Sequence, residues 1–227
     1  MLRCHPNNYY EYDAIGRRTK VVSDASTNYL VYDGIHVIAE VDGNGALLKS
    51  YTWNPQAIDL LLAFTDYTGG ETNTYYALTD HLGTVHALTD ESGNIVESYR
   101  FDAWGRVLGV YDGDGMPISE SAVGNRYLWQ GRWYSWKTGL YYFRARWYDP
   151  ITGRFISKDP AGISFGLNQY TFVDNNPVNF RDPFGLCKAK PTEKTPDVLD
   201  RLRRHYRDAQ QEKGLWNKFF GGQDVKY

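Results

Sequence analysis

Turn signals at a regular spacing constrain the fold of this chain more than any other feature. Turns of the Asp-Gly or Asp-x-x-Gly type recur, and Asp80, Asp90, Asp102 and Asp112 follow one another at intervals of 10, 12 and 10 residues. Such intervals fit a strand, a tight turn and a returning strand, repeated. The aspartate side chain can bond backbone amides within its turn, and glycine supplies positive φ. The sequence therefore predicts β-hairpins connected in series.

The segments between the turns alternate in character, which is typical of strands with one buried face. Residues 37–41 and 95–101 show this alternation, and the chain is 16% aromatic, which favours strands. Near-repeats of roughly 20 residues predict a stacked or spiralling sheet array in which each unit packs on its neighbours. Residues 54–72 break the pattern, with a buried strand predicted over 58–64, and residues 112–124 predict a loop.

The composition changes after Leu186, where a short tail begins. Residues 187–227 contain ten Lys/Arg and six Asp/Glu, so the tail is basic, and the rest of the chain is acidic. We expect a linker over 187–194 and then a helix capped by Thr195, with Pro196 at its first position. Its apolar stripe and its end are Val198, Leu199, Leu202, Tyr206, Ala209 and Gly214. Its basic residues are interpreted as a solvated face, and nucleic acid is not expected as a partner.

Several classes of site and location are disfavoured by the residues present. Cys4 and Cys187 form neither a disulfide framework nor a metal-ligand spacing. Asp42-x-Asn44 and Asp112-x-Asp114 faintly resemble calcium loops, but they lack the other required ligands, so hairpin turns are favoured. The histidines show no ligand spacing. No apolar run reaches membrane-spanning length, and no signal peptide is visible at Met1. We expect no metal, no cofactor and no membrane span.

A repeated Asp-Pro-x-Gly phrase marks the boundary with the tail. The copies are Asp159-Pro160-Ala161-Gly162 and Asp182-Pro183-Phe184-Gly185, the second followed by Leu186. Paired aspartates at a change of composition suggest self-cleavage chemistry. The alternative is that each phrase is simply a turn, with the aspartate bonding backbone and the proline fixing φ. Spacing alone favours the turn.

Longer motifs show a resemblance to a known family. They are Gly139-Leu140-Tyr141-Tyr142-Phe143-Arg144-Ala145-Arg146-Trp147-Tyr148-Asp149-Pro150, Thr152-Gly153-Arg154-Phe155-Ile156-Ser157, Gly166-Leu167-Asn168-Gln169-Tyr170, Asn176-Pro177-Val178-Asn179 and the two Asp-Pro-x-Gly copies. Together they resemble the end of the core of Rhs/YD-repeat proteins, and the upstream Tyr-Asp-x-x-Gly-Arg units resemble YD repeats. The resemblance covers roughly residues 9–186. We predict an all-β fold: a YD-repeat antiparallel hairpin array (1–126), an Rhs-associated core or plug (127–186) and a variable, partly helical tail (187–227).

The resemblance implies both a shell and a reaction. Family members form a β-sheet spiral around a variable C-terminal toxic segment, and the last strands fold inward as a plug. Asp159 and Asp182 match the aspartates assigned to self-cleavage, Leu186–Cys187 matches the cut bond, and Arg181 matches a basic residue before the second aspartate. Two close carboxylates share a proton, so one can activate water while the other polarises the Leu186 carbonyl. Arg181 would stabilise negative charge.

The implied function is the C-terminal core of a polymorphic toxin or secreted surface protein of bacteria, acting in competition between cells. Its expected partners are the remainder of a larger shell or secretion apparatus and an immunity protein for the tail, because this chain holds too few repeats to close a cage. Two alternatives stay open. One is an adhesion module in which Trp133 and Trp136 contact glycans, and the other is an inactive fragment. Cys187 as a thiol nucleophile is disfavoured, since no histidine lies near it in sequence.

Overall fold

The computed structural model of the protein describes residues 9–14, 16–23, 26–163, 166–194 and 196–204. Its first part is one antiparallel sheet of eleven strands in chain order. The strands are β1 (Tyr9–Tyr12), β2 (Arg18–Val22), β3 (Thr27–Asp33), β4 (His36–Val41), β5 (Leu47–Trp53), β6 (Leu61–Asp66), β7 (Asn73–Thr79), β8 (Val85–Thr89), β9 (Ile95–Phe101), β10 (Val107–Asp112) and β11 (Pro117–Ile118). Every strand pairs with the next one along the chain, so the predicted serial hairpins and the all-β class are confirmed.

Five of the hairpin turns share one hydrogen-bond pattern. In the β8–β9 turn, Asp90 Oδ1 accepts the amides of Ser92 at 2.9 Å and Asn94 at 2.8 Å. The same i+2 and i+4 contacts recur at the turns that begin with Asp42, Asp80, Asp102 and Asp112. One carboxylate oxygen thus replaces the partners that the reversing backbone loses. This local chemistry explains why the sequence specifies its hairpins.

A second, smaller sheet follows the first. It contains β12 (Trp133–Ser135), β13 (Leu140–Phe143), β14 (Arg146–Asp149) and β15 (Arg154–Phe155), in that order. One-turn 3-10 helices span Trp129–Gly131 and Val173–Asn175, and a third spans Thr68–Gly70 in the first sheet. Aromatic side chains from the small sheet and from the inner face of the large sheet share one core. That shared core fixes the position of β14, from which the candidate site is built.

A second apolar cluster lies where the core meets the tail. Its buried members are Ile58, Phe184, Leu186, Cys187, Ala189, Val198 and Leu202. The last two come from a helical segment, α1, over residues 196–204, in the region where a helix was expected. Residues 187–194 are not a free linker, because Ala189 is buried and forms a β-bridge with Arg181. No helix in the described ranges has the length and apolarity to cross a bilayer.

The expected helix start and end lie outside the described residues. Thr195, Tyr206, Ala209 and Gly214 all belong to this group. Within the described part, Val198 and Leu202 occupy the buried face that the apolar stripe predicts, and Leu199 packs against the same cluster. The described part of α1 therefore packs against the residues around Leu186.

The loop over 54–60 differs from its sequence prediction. A strand was expected over 58–64, but β6 begins at Leu61, and Asp59 takes the left-handed conformation with φ of 55°. The physical reason lies in the Asp59 carboxylate, which turns inward to ion-pair with Arg132 and Arg144. A regular strand would carry this side chain away from those partners. Ile58 instead joins the cluster at the start of the tail.

Candidate functional site

The two Asp-Pro-x-Gly phrases fold as turns of the same kind as the hairpin turns. Asp159 Oδ1 accepts the Ala161 amide at 2.8 Å, and the Gly162 amide donates to the Asp159 carbonyl at 3.0 Å. In the second copy, the Gly185 amide donates to the Asp182 carbonyl at 3.4 Å. Asp182 Oδ1 also accepts the Leu186 amide at 3.0 Å, so one oxygen of each carboxylate is used for turn formation. The turn interpretation is a correct description of these oxygens, and it leaves the other oxygen of each aspartate available.

Those remaining oxygens converge on Arg146. Its Nη2 lies 2.9 Å from Asp159 Oδ2 and 3.5 Å from Asp182 Oδ2. The three side chains are at most 8% exposed. The structure therefore brings together two aspartates that are separated by 23 positions in the sequence, with a single guanidinium between them.

Backbone carbonyls and an aromatic ring fix the Arg146 guanidinium. Its Nη1 donates to the Gln169 carbonyl at 2.9 Å, and its Nε donates to the Gly185 carbonyl. The guanidinium carbon lies 3.6 Å from the centre of the Phe155 ring. These contacts hold a planar cation in one orientation, because each donor has a partner in a different direction. Arg146 is therefore a rigid support for both turns.

The peptide bond named as the cut bond lies directly against Asp182. Asp182 Oδ1 accepts the amides of Leu186 at 3.0 Å and Cys187 at 3.1 Å. The Cys187 nitrogen is the atom that would leave if the Leu186–Cys187 bond broke. Gly185 lets the chain take this path, since its φ is 68° and a Cβ there would lie 2.4 Å from the Phe143 carbonyl oxygen. The geometry thus places a carboxylate at the nitrogen of the proposed cleavage bond.

Burial shifts both carboxyl groups towards their neutral forms. It raises the pKa of Asp159 to about 6, against the opposing effects of Arg146 and the Ala161 amide. Burial also raises the pKa of Asp182, although Arg146 and the amides of Leu186 and Cys187 favour its ionised form. One cation cannot fully compensate two buried carboxylates. The pair is consequently suited to hold a proton near neutral pH.

Arg181 directly precedes Asp182 in the sequence, but its side chain does not contact the dyad aspartates and instead binds two backbone carbonyls. Its Nη1 donates to the Ile58 carbonyl at 2.7 Å, and its Nη2 donates to the Pro191 carbonyl at 2.9 Å. Its backbone pairs with Ala189. Arg181 thereby fastens the second turn to the 54–60 loop and to the start of the tail, while Arg146 occupies the position between the carboxylates.

The Cys187 thiol has the character of a core residue. Burial raises its pKa to about 12, and the nearby Asp182 charge acts in the same direction, while Arg201 opposes both. The side chain is 5% exposed. A thiol with so high a pKa is protonated at neutral pH and is a weak nucleophile. The raised pKa and the burial of Cys187 therefore agree with the expectation that it is a plain core residue.

A cleft of about 640 Å³ opens beside the dyad. Its walls include Asp159, Asp182, Leu186 and Cys187, and Arg201 of α1 lies at its tail side. A cavity of this size has room for several water molecules, and its walls carry polar partners for them. Water could thus reach the Leu186 carbonyl although the residues on both sides of the bond are buried.

The two tryptophans considered as glycan contacts are not free surface residues. Trp133 is 5% exposed, and the Arg18 guanidinium lies 3.8 Å from its ring centre. Trp136 is half-buried, and its indole N–H donates to the Asn125 carbonyl at 3.0 Å. Trp133 therefore presents no open ring face on which a sugar could stack.

Arg146 is the site residue that sequence reasoning did not single out. It stands in a dense aromatic segment, next to Trp147, and 36 positions before Asp182. The available signal was its place in a strand rich in aromatic residues, where an arginine has to find buried acceptors. Only the fold shows that those acceptors include both turns.

Comparison with known proteins identifies the family. A family model described as the teneurin YD-shell matches residues 4–178. The chain belongs to the Rhs/YD-repeat family. The matched range contains every strand from β1 to β15 and the first Asp-Pro-x-Gly turn, and it ends before the second turn.

Curated Rhs/YD-repeat relatives carry names of different activities. The tRNA3(Ser)-specific nuclease WapA of Bacillus spizizenii is 36% identical over 183 residues, which are 78% of this chain and 7% of that protein. The double-stranded DNA deaminase toxin A of Burkholderia cenocepacia is 30% identical over 201 residues, 78% of this chain and 14% of that protein. Toxin protein Tse5 of Pseudomonas aeruginosa is 36% identical over 117 residues, which are 52% of this chain and 8% of that protein. The chain spans a small part of each relative and corresponds to an Rhs-type core.

Solved structures show the same fold within larger assemblies. The crystal structure of TcdB2-TccC3-Cdc42 superposes on 79% of this chain and 9% of that chain, with a TM-score of 0.63 and 23% identity. The Photorhabdus luminescens Tc holotoxin pore superposes on 80% of this chain and 9% of that chain, with a TM-score of 0.61 and 23% identity. Both are structures of larger Tc assemblies, so the shared YD-shell architecture occurs there as one portion of a bigger body.

Proposed function

We propose that this chain is the C-terminal core of an Rhs-type polymorphic toxin and that it cuts itself once, between Leu186 and Cys187. The observation that carries the proposal is the convergence of Asp159 and Asp182 on one Arg146 nitrogen, at 2.9 and 3.5 Å. The second support is the 3.1 Å hydrogen bond from the Cys187 amide to Asp182. The aspartate dyad, the fixed Arg146 guanidinium and the Leu186–Cys187 bond are therefore adjacent to one another in the same buried region.

The proposed reaction is hydrolysis. Asp159 takes a proton from a water molecule as that water adds to the Leu186 carbonyl carbon, and Arg146 offsets the negative charge that builds up nearby. The carbon–nitrogen bond then breaks, and protonated Asp182 gives its proton to the departing Cys187 nitrogen. The products are a Leu186 carboxylate and a Cys187 amine. Because the bond that is cut belongs to the same chain, the reaction runs once.

Arg146 takes the charge-stabilising role that the resemblance gave to Arg181. This assignment rests on position, since Arg146 contacts both carboxylates and Arg181 contacts carbonyls of Ile58 and Pro191. Arg181 would act by holding the second turn in place. In this proposal Arg146 contacts the reacting carboxylates, and Arg181 supports the turn that contains Asp182.

The larger context of the chain is also a proposal. We infer a division into a YD-repeat array (1–126), a plug (127–186) and a released tail (187–227), held within a longer secreted shell. The β1 strand lies at the edge of the described sheet, which is the side on which a preceding repeat of a longer shell would be added. An immunity protein would be the partner of a toxic tail. The names of the relatives support a toxin, and no target is assigned to this tail.

The test is the intact mass of the purified chain beside three variants. The wild-type chain is expected to give fragments 1–186 and 187–227, whereas Asp159→Asn and Asp182→Asn stay whole. Asp174→Asn is the matched control, because Asp174 is an exposed aspartate of the same region that contacts Lys188. It is expected to cut like the wild type.

Two results would count against the proposal. Cleavage that persists in Asp159→Asn and Asp182→Asn would remove the dyad from the mechanism. A folded wild-type chain that remains whole would favour the alternatives of a binding module or an inactive fragment. Circular dichroism of each sample distinguishes a folded, uncut chain from a misfolded one.

A further inference from the structure

A buried carboxylate outside the dyad makes a second set of contacts to the cleavage segment. Asp59 lies in the 54–60 loop, is 2% exposed, and has φ of 55°. Its amide donates to His36 Nε2 at 3.3 Å. A buried, strained acidic residue in a loop between two strands requires compensating partners, and the structure supplies them from the plug.

Two guanidinium groups bind the Asp59 carboxylate. Arg144 bonds both oxygens, Nη1 to Oδ2 at 3.1 Å and Nη2 to Oδ1, and Arg132 Nη2 also contacts Oδ2. Burial alone would raise the pKa of Asp59, but Arg132 and Arg144 outweigh it and hold the pKa well below its usual value. Asp59 is therefore an anion that neutralises part of the charge of an arginine pair in which Arg132 is buried and Arg144 is half-buried.

The same two arginines also bind the second Asp-Pro-x-Gly turn. Arg132 Nη1 donates to the Pro183 carbonyl at 3.0 Å, and Arg144 Nη1 donates to the same oxygen. The Ala145 amide donates to the next carbonyl, that of Phe184, at 3.2 Å. Pro183 directly follows Asp182, so this carbonyl belongs to the turn that carries the cut bond.

We propose that Asp59 is a positioning residue for self-cleavage. Through Arg132 and Arg144 it fixes the Pro183 carbonyl, and so it holds the Leu186–Cys187 bond against Asp182. The inference rests on the proposed function, and it adds to that function a group that touches none of the reacting atoms. Without the Asp59 charge, buried Arg132 and half-buried Arg144 repel each other, and the Pro183 carbonyl loses the fixed orientation of its donors.

The first test measures local order in chains that stay whole. In the Asp159→Asn background, adding Asp59→Asn removes one charge at constant size. We expect the amides of Leu186 and Cys187 to exchange hydrogen at least about tenfold faster, because their hydrogen bonds to Asp182 open more often. The amides of β13 serve as the internal reference for global opening.

The matched control is Glu97→Gln in the same background. Glu97 is 1% exposed and accepts bonds from Ser121 and Val123, so its loss disturbs a different buried carboxylate. It is expected to lower stability without raising exchange at Leu186 and Cys187 relative to β13. Unchanged exchange in the Asp59→Asn chain, or an equal rise in the Glu97→Gln chain, would overturn the proposal.

The second test restores Asp159 and follows the rate of cleavage. Asp59→Asn is expected to slow cutting by about 10- to 100-fold, since displacement of a reacting group by about 1 Å has this effect. Combining Asp59→Asn with Arg144→Gln should slow it no further than the worse single change, because the two act as one unit. The inference would be contradicted if the double variant were slowed by the product of the two single effects, or if Asp59→Asn left the cleavage rate unchanged.

The two tests separate this inference from the proposed function. If the wild-type chain never cuts, the cleavage proposal fails, yet the exchange of Leu186 and Cys187 still decides whether Asp59 positions the turn. If the wild type cuts and the exchange does not respond to Asp59→Asn, cleavage stands and the positioning role falls.

Discussion

At the scale of single residues, the neighbours of an aspartate's second oxygen decide its role. Asp90 and Asp159 both use one oxygen to cap a turn. The second oxygen of Asp90 bonds Asn94 at an exposed hairpin, whereas that of Asp159 meets Arg146 in a buried place shared with Asp182. The same turn chemistry therefore serves structure in one place and is available for reaction in the other.

Removal of the Arg146 charge should move the pH dependence of cleavage. The rate in the wild type should fall as the pH drops below about 6, where Asp159 gains its proton. Arg146 lowers the pKa of Asp159, so Arg146→Gln should shift this fall to higher pH. The measurement is the cleavage rate from pH 4 to 9, with Arg146→Lys as the variant that keeps the charge. An acid limb that stays in place in Arg146→Gln would show that Arg146 does not tune Asp159.

The Asp159 carboxyl should lower stability at neutral pH. Its folded pKa of about 6 lies above the ordinary value of 3.8, so folding favours its protonated form. This favourable contribution is complete below the ordinary value and is lost as the pH rises through about 6. Asp182 is one of the groups that raise this pKa, so in the Asp182→Asn chain, which stays whole, the pKa of Asp159 should lie below about 6 and its cost to stability should shrink. Carboxyl-carbon NMR from pH 3 to 8 measures this pKa, and a value that stays at about 6 or rises would contradict the coupling of the two carboxyl groups.

At the scale of elements, the sequence predicts local structure such as turns and strands, but it does not predict contacts between distant segments. The hairpins follow from the turn residues, and the buried face of the tail helix follows from the apolar periodicity, because both signals act within a few residues. Glu97 shows the limit: alternation marks it as a strand residue, yet it lies inward, accepting bonds from Ser121 and Val123. These two partners lie more than twenty positions away in the sequence, so the local alternation of residues cannot predict them.

The candidate site divides along the same line. Asp159, Asp182 and the Leu186–Cys187 bond were reachable from motifs and from a family resemblance, because they occupy fixed places within short phrases. Arg146 and Asp59 were not, since each acts through a contact that only the packed core creates. Arg181 is the converse case, where adjacency in sequence to Asp182 did not bring its side chain to the dyad.

The close approach of two loops gives a stability test at this scale. Gly131 has φ of 64°, and a Cβ there would lie 1.9 Å from the Asp59 carbonyl oxygen, whereas Gly93 has φ of 83° and open space around it. Gly93→Ala should cost about 1–2 kcal/mol of unfolding free energy for its left-handed backbone. Gly131→Ala should cost at least twice as much, because backbone must also shift. Urea unfolding in the Asp159→Asn background measures both, and equal losses would mean that the loop–plug contact is loose.

At the scale of the whole molecule, the chain corresponds to one portion of the larger proteins that it resembles. It spans 7% of the Bacillus spizizenii relative and 14% of the Burkholderia cenocepacia relative, and its eleven-stranded sheet has β1 and β11 at its edges. Residues 127–186 pack against the eleven-stranded sheet within this chain, through the shared aromatic core and the contacts of Asp59. The dyad is therefore assembled by residues present here, and we expect cleavage without any further repeats.

The most direct measurement is the mass of the chain after refolding in water enriched in oxygen-18. We predict two products, 1–186 and 187–227, with one heavy oxygen in the new Leu186 carboxylate and none in the tail. That result would show hydrolysis by water at the bond that Asp182 contacts. A folded chain that stays whole, a cut at another bond, or a 1–186 product without the heavy oxygen would contradict the account.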